Sequence, residues 1–386
     1  MRKRLLSGVL AAVCLCLSAA AQEDEVLVST VPDTQGLEVG AKAAVVMEAC
    51  SGKVLFSQSA ADRLPMASTT KIMTALIALE QTGLDDVFEV DTQAIHVEGS
   101  SMGLQEGDKA SLRALATGML LTSGNDAANA AAVRIGGSIP GFADLMNQKA
   151  AQLGMENTHF VTPSGLDDDL HYSTAYDMAL LAREALGNKE FAAICSQYKM
   201  RTSYGNPPYQ RWLTNHNKLL NYYEGAIGLK TGFTKKSGRC LVSAATRGGV
   251  TLICVTLDCS DDWNVHQNLY NRYFCLWTVE DLSTCIPALT VPVTGGTQQQ
   301  VCAAVTQTAK VPVPVDGAGV EYQITKQHFL YAPVRQGQVV GEAEILLDGE
   351  SVASLTLTAA SDVPLLHEYV EKRGFFQWLR DLFFPD

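Results

Sequence analysis

Short β-forming runs open and close a long helical stretch of this chain, and that placement narrows the possible folds more than any other feature. Near the start, residues 43–50 and 54–57 are strand-like and joined by Ser51-Gly52-Lys53, a hairpin pattern. Much later, residues 226–233, 240–246 and 250–257 form three further β-rich runs, split by the turns at Lys235–Gly238 and Arg247–Gly249, and read as adjacent antiparallel strands. Between the two groups the pattern is helical. After Pro65, Ile72, Leu76 and Leu79 recur at helical spacing, with Gly83 as terminator. Further helices are expected at about 111–121, 126–135, 140–153 and 174–186, the last opened by an acidic capping pattern from Ser173 to Asp177. Another follows at about 263–277. Strands at both ends of a helical segment imply an α/β domain whose one sheet joins those ends.

With 386 residues the chain has room for a large domain and a smaller module. Beyond Cys285 the runs at 288–293, 301–305, 309–315, 342–347 and 351–358 are short and closely spaced, the pattern of a small all-β sandwich. The N-terminus pairs Arg2-Lys3-Arg4 with an apolar run to Leu17 and small residues to Ala21, which reads as a signal peptide cleaved near Ala21. At the other end, Phe375, Leu379, Leu382 and Phe383 repeat at helical spacing beside Phe376 and Trp378. This terminal amphipathic helix is too short to span a bilayer and suited to lie in its interface. The expected division is therefore a leader at 1–21, an α/β domain at 22–284, a β-sandwich at 285–363 and a membrane-associating tail at 364–386. The protein is expected to be exported and held on the outer face of the cytoplasmic membrane.

A formal net charge of −12 argues against nucleic acid as a partner, because phosphate backbones need clustered Lys and Arg. Of ten cysteines, Cys14 and Cys16 fall in the leader, and the others show no CxxC pair or Cys/His ligand spacing. The seven histidines contain no HExxH. No metal or cofactor is expected.

Three triplets carry nucleophilic chemistry. Ser68-Thr-Thr-Lys71 opens the helix after Pro65, with serine and lysine one turn apart on one face and unpaired N–H groups at the helix start. Serine needs a base to become nucleophilic, and a desolvated lysine beside other cations can be one. Ser123-Gly-Asn125 lies between two expected helices, and Lys230-Thr-Gly232 ends a β-rich run. Taken singly, each motif reads more readily as a cap, a turn or a hairpin end than as catalytic machinery. SxxK recurs at Ser196–Lys199, but Ser68–Lys71, Ser123–Asn125 and Lys230–Gly232, in this order, resemble the SxxK, S-D-N and KTG set of penicillin-binding proteins and class A β-lactamases, with Gly124 where that set has aspartate.

The surroundings, Ala67–Thr74, Ser123–Ala127, Thr162–Leu166, His171–Thr174 and Gly228–Thr234, resemble the low-molecular-mass D-Ala-D-Ala carboxypeptidases, a peptidase S11-like family of serine penicillin-binding proteins. The resemblance runs over nearly the whole chain. It implies a β-lactamase/transpeptidase-like catalytic domain and an acyl-enzyme on Ser68. It makes Lys71 the base, gives Ser123 and Asn125 the proton path and substrate grip, and assigns the substrate carboxylate to Lys230 and Thr231. Gly232 would leave room for a substrate strand, and the N–H groups of Ser68 and Phe233 would form the oxyanion hole. Peptidoglycan stem peptides and β-lactams are the implied partners. Some relatives carry arginines near the carboxylate pocket, but Thr214–Asn217 and Ser260–Asn268 contain none here, so any further anchor stays open. His216 is one candidate for it. His171 reads as a loop-ordering residue. The rival readings are a serine β-lactamase, disfavoured by the lack of a Glu-x-x-Leu-Asn pattern between Ser123 and Lys230, and a non-catalytic wall-binding protein, disfavoured by the presence of both Ser68 and Lys71.

Overall fold

The computed structural model describes residues 39–367 and Phe383. Strands β1 (Ala41–Glu48) and β2 (Val54–Gln58) form the expected hairpin, turning at Gly52 with φ +76°. A 3-10 turn at Ala67–Thr70 runs into α1 (Lys71–Leu79), whose nine residues are all buried. A helix buried on every side belongs at the centre of a domain, and α1 occupies it with Lys71 and Thr74 as its polar residues. The small ribbon β3 (Phe88–Glu89) with β4 (Lys109–Ala110) precedes α2 (Leu112–Thr122), α3 (Asn125–Gly136), α4 (Ile139–Gln152), α5 (Ala175–Gly187) and α6 (Lys189–Cys195). As the sequence pattern predicts, Thr174 caps α5, accepting from the Asp177 N–H. A hairpin of β5 (Lys199–Gly205) and β6 (Pro208–Thr214) leads through α7 (Leu219–Tyr222) to β7 (Ala226–Thr234), β8 (Gly238–Arg247), β9 (Val250–Cys259) and α8 (Asp262–Phe274).

The main sheet runs β2-β1-β9-β8-β7, wholly antiparallel, with β1 docked on β9 in the register Val45↔Val255. The two ends of the segment thus meet in one sheet. Alternation along β8 and β9 sorts the side chains: Val242, Ala244, Ile253 and Val255 join the helical core, while Leu241, Ala245, Leu252 and Cys254 face Leu269, Tyr270 and Tyr273 of α8. Three layers result, and β7 is left as an edge beside the 3-10 turn.

The helix expected to reach residue 277 stops at Phe274. Trp277–Asp281 (β10) is instead a strand paired with β13 (Lys310–Pro314), as its aromatic and β-branched residues favour. Strands β11 (Leu289–Thr294), β12 (Gln300–Val305), β14 (Val320–Lys326), β15 (Leu330–Tyr331), β16 (Val339–Leu347) and β17 (Glu350–Ala359) form a sheet in the order β14-β16-β17-β12-β11-β15. Val311 and Val313 of the ribbon share one core with Val291, Val301, Ile345 and Leu357 of the sheet, making a small β-sandwich. The leader lies outside the described residues, as does the tail helix apart from Phe383, which is helical and exposed. No helix among the described residues is long and apolar enough to cross a membrane.

Candidate active site

The 3-10 turn that carries Ser68 is held by its neighbours in a conformation it would not adopt alone. Ala67 sits at φ +49°, an uncommon region for a residue with a Cβ. The loop through Gly165 (φ +80°) packs on it so closely that a Cβ at Gly165 would collide with the Ala67 carbonyl. The Thr70 hydroxyl donates to that same carbonyl at 2.7 Å. Buried His171 completes the brace. Its Nδ1 accepts from the N–H groups of Val161 (2.9 Å) and Thr162 (3.3 Å), so Nε2 carries the proton and donates to the Thr70 hydroxyl at 2.8 Å. Burial lowers the His171 pKa to about 4, keeping the ring neutral. It is the loop-ordering residue expected.

One turn on, Lys71 is fully buried. Its Nζ lies 2.9 Å from Ser68 Oγ, 2.6 Å from Asn125 Oδ1 and 2.6 Å from the Ser164 carbonyl. The last two are acceptors only and claim two N–H bonds, so the third direction of the amine faces Ser68. Burial, then the charge of Lys230, push the Lys71 pKa well below the ordinary lysine range, while Asp126 opposes them. A neutral amine held this way aims its lone pair at the serine hydroxyl.

Ser123 ends α2 in the left-handed region (φ +61°) and lines the same cleft as Ser68. Among the described residues it makes no side-chain hydrogen bond, and none joins it to Lys71. Asn125 opens α3 with both ends of its amide engaged, Oδ1 by Lys71 and Nδ2 donating to the Glu98 carbonyl at 2.6 Å. A substrate carbonyl can take only the second hydrogen of Nδ2. Asp126, which motif reading passed over, accepts from Met102 N–H (2.9 Å), Ser101 hydroxyl (2.6 Å), Gly103 N–H (3.0 Å) and Leu104 N–H (3.0 Å). It fixes the loop that brings Ser100 to the cleft. The β5–β6 hairpin braces this loop from outside, through Tyr204 to the Met102 carbonyl and Arg211 to the Gly103 carbonyl at 2.9 Å.

Strand β7 closes the cleft. Lys230 is buried, donates to the Thr231 carbonyl at 2.7 Å, and has its pKa lowered to about 7 by burial. Thr231, Gly232 and Phe233 line the opening, with Phe233 exposed. A Cβ at Gly232 would stand 3.0 Å from the Met66 carbonyl and 3.1 Å from the N–H nitrogens of Ser68 and Thr69. A side chain here would therefore crowd the nucleophile's own turn, a constraint separate from the passage of a substrate strand. The cleft, about 320 Å³, is completed by His216, Lys218, Arg239, Asp262 and Trp263. Burial, then Lys230, lower the His216 pKa.

Ser68, Ser123, Thr231 and Gly232 thus line one cleft, with Lys71 behind it in contact with Ser68 and Asn125. The same residues place the chain among known proteins. Residues 28–261 match the peptidase S11 family, D-alanyl-D-alanine carboxypeptidase, and residues 286–365 match the C-terminal domain of penicillin-binding protein 5. The chain is 31% identical to the D-alanyl-D-alanine carboxypeptidase DacF of Bacillus subtilis over 398 aligned residues, covering 98% of this chain and 97% of that one. It is 32% identical to DacC of Escherichia coli, covering 88% and 86%. Among solved structures, the D-alanyl-D-alanine carboxypeptidase DacD from Francisella tularensis superposes with a TM-score of 0.63 at 28% identity, covering 87% of this chain and 97% of that one. Penicillin-binding protein 5 from Haemophilus influenzae gives 0.64 at 27%, covering 87% and 100%. With likeness in both sequence and fold spanning the nucleophile turn, the cleft and the β-sandwich, the chain belongs to the peptidase S11 family of D-alanyl-D-alanine carboxypeptidases.

Proposed function

We propose that this chain is a serine D-Ala-D-Ala carboxypeptidase that removes the terminal D-alanine of peptidoglycan stem peptides through an acyl-enzyme on Ser68. The observation that carries the reading is the contact of 2.9 Å between Ser68 Oγ and the desolvated Lys71 amine, at the mouth of a cleft whose far wall is a free sheet edge. A substrate peptide can lie along β7 as an added strand. Lys71 takes the hydroxyl proton as Ser68 Oγ bonds to the carbonyl carbon. The C–N bond then breaks, the proton passes to the leaving D-alanine amine in a relay assigned to Ser123, which lines the cleft without a hydrogen bond to Lys71, and water hydrolyses the ester. The N–H groups of Ser68 and Phe233 are assigned to the oxyanion, each worth about 3 kcal/mol in such a role. Lys230 and Thr231 are assigned to the terminal carboxylate. β-Lactams acylate the same serine.

The acidic groups beside the cleft are committed elsewhere: Asp126 to the 101–104 loop, Asp262 to Arg239, and Asp167 to the Thr234 hydroxyl at 2.9 Å. Among the described residues these three carboxylates are engaged by protein partners rather than left free to activate water as a β-lactamase requires, which supports the carboxypeptidase reading. Incubation with a peptide ending in D-Ala-D-Ala, with product mass measured, and mapping of the penicillin-labelled peptide test it together. Release of one D-alanine and a label on Ser68 are expected. No release, or a label on Ser123 or persisting in Ser68→Ala, overturns it.

The reading includes an exported enzyme working on the cell wall, with a catalytic unit at 22–284 and a β-sandwich at 285–363. The tail at 364–386 would lie in the membrane interface by its apolar face. Deleting residues 374–386 is expected to move activity from the membrane fraction to the supernatant, and unchanged membrane association sinks the attachment.

A further inference from the structure

We propose that Arg239 is a second cation, beside Lys230, that reads the substrate's terminal carboxylate, with Asp262 as the residue that positions it. The inference rests on the carboxypeptidase reading above and adds an anchor to it. The segments Thr214–Asn217 and Ser260–Asn268 bring no arginine to the cleft, and the β7–β8 register brings one from a strand that no motif marks. Arg239 stands directly across from Phe233, and Leu241 across from Thr231. Cross-strand partners point to the same face, and alternate residues of one strand share it. Thr231, Phe233 and Arg239 therefore lie on one face, with Arg239 the diagonal neighbour of Thr231. Diagonal Cβ atoms in an antiparallel pair are about 7 Å apart, within reach of a long side chain. Thr231 and Arg239 line the same cleft.

The guanidinium is already oriented. Nε and Nη2 donate to the two oxygens of Asp262 at 3.2 and 2.6 Å, and its carbon sits 5.5 Å from the centre of the Trp263 ring. Asp262 is anchored in turn, with 2% of its side chain exposed and Oδ1 accepting from the Trp263 N–H at 2.9 Å. Among the described residues Nη1 makes no hydrogen bond, and 40% of the Arg239 side chain is open to solvent. Asp262 fills one edge of the planar fork and leaves the Nη1–Nη2 end free. That edge matches a carboxylate with two parallel N–H bonds. Lys218 also lines the cleft, but it is a point charge on a flexible stem, with no partner fixing its ammonium among the described residues.

Two measurements on the full-length enzyme test this. The first is kcat and KM on a peptide ending in a free D-Ala-D-Ala carboxylate. The second is the affinity of phenylboronic acid, which bonds the nucleophile and has no carboxylate. Arg239→Ala is expected to raise KM about 20-fold with kcat nearly unchanged, the loss of a charge-assisted bidentate contact. Its boronate affinity should stay within about twofold. Arg239→Lys should recover part of the loss, and Asp262→Asn should raise KM about fivefold, a shift in orientation with no charge removed from the cation. The double variant Arg239→Ala with Asp262→Asn avoids a buried unpaired carboxylate and should match Arg239→Ala. The proposal is overturned if KM stays within twofold, if boronate affinity falls in proportion, or if Lys218→Ala alone reproduces the effect. A wild-type enzyme that releases no D-alanine defeats the carboxypeptidase reading before any variant is compared.

Discussion

The two parts of the molecule bury different things. Among the described residues, every buried polar or charged side chain, from Glu48 to His266, belongs to the α/β part, and the β-sandwich buries apolar groups only. In the first part Lys71, Asn125, Asp126, His171 and Lys230 are withdrawn from water, and each makes at least one hydrogen bond. In the second, Val291, Val301, Ile345 and Leu357 fill a core whose strands turn their polar residues outward. Burying a polar group costs free energy unless it is partnered, so such groups persist where their placement does something that packing cannot. The difference separates positions where a substitution is expected to cost chemistry from positions where it costs stability alone.

The sharpest break of that contrast would come from Lys71. Lys71→Ala removes the only amine in contact with Ser68 among the described residues, and the rate of acylation by penicillin should fall about 10³-fold, within the range of a lost general base. A rate within tenfold of the wild type would mean that another group takes the proton.

Lys230 offers the next largest effect and a test by pH. With a pKa near 7 it loses its charge as pH rises through that value, so KM for a free-carboxylate peptide should climb above pH 7. Its charge is also one of the two causes that lower the Lys71 pKa. Removing it in Lys230→Ala should therefore raise the Lys71 pKa and shift the ascending limb of kcat to higher pH, while the alkaline climb in KM disappears. An ascending limb that stays in place would show that the two lysines do not sense one another.

Leu357→Ala examines the other side of the comparison. Leu357 is 1% exposed, and truncating a buried leucine costs about 2–5 kcal/mol through lost burial and the cavity left behind. Thermal unfolding should register that loss as an earlier transition of the sandwich. kcat/KM on the D-Ala-D-Ala peptide should stay within twofold, and a larger drop would make the sandwich part of the catalytic apparatus.

The same contrast explains what could be read from sequence. The sheet was legible from its two groups of strands because alternation and turn residues are local, and the triplets were legible because their spacing is local too. Three features depended on pairings between distant segments. Arg239 enters the cleft only through its register with Phe233, Asp126 acts only through a loop some twenty residues earlier, and Gly232 is constrained by the backbone of Ser68 on another element. The β5–β6 hairpin is illegible in the sequence for another reason. Its residues alternate between exposed and half-buried, from Lys199 to Ser203, so they lack the apolar stripe that marks a strand. Trp277 reads as part of the preceding helix because a short aromatic and β-branched run after a helix breaks its period only at the following turn.

The smallest effect is expected where the two parts touch. Lys53, in the hairpin turn before β2, pairs with Asp348, in the turn between β16 and β17, at 2.6 Å, with 22% and 43% of the side chains exposed. Beside them, buried Leu347 packs into the outer core with Phe56, Tyr273 and Trp277. The leucine removes apolar surface from water, whereas the ion pair keeps its hydration and is screened by salt. Asp348→Ala should therefore lower stability by less than about 1 kcal/mol, and by less still at high ionic strength. Leu347→Ala should cost several times more. Chemical unfolding of both variants at low and high salt gives the ranking, and kcat/KM should be unaffected in Asp348→Ala. If the aspartate variant proved the less stable, or lost activity, the junction would be held by charge and coupled to the cleft. The division between a part that carries chemistry and a part that only packs would then fail at the surface where it is drawn.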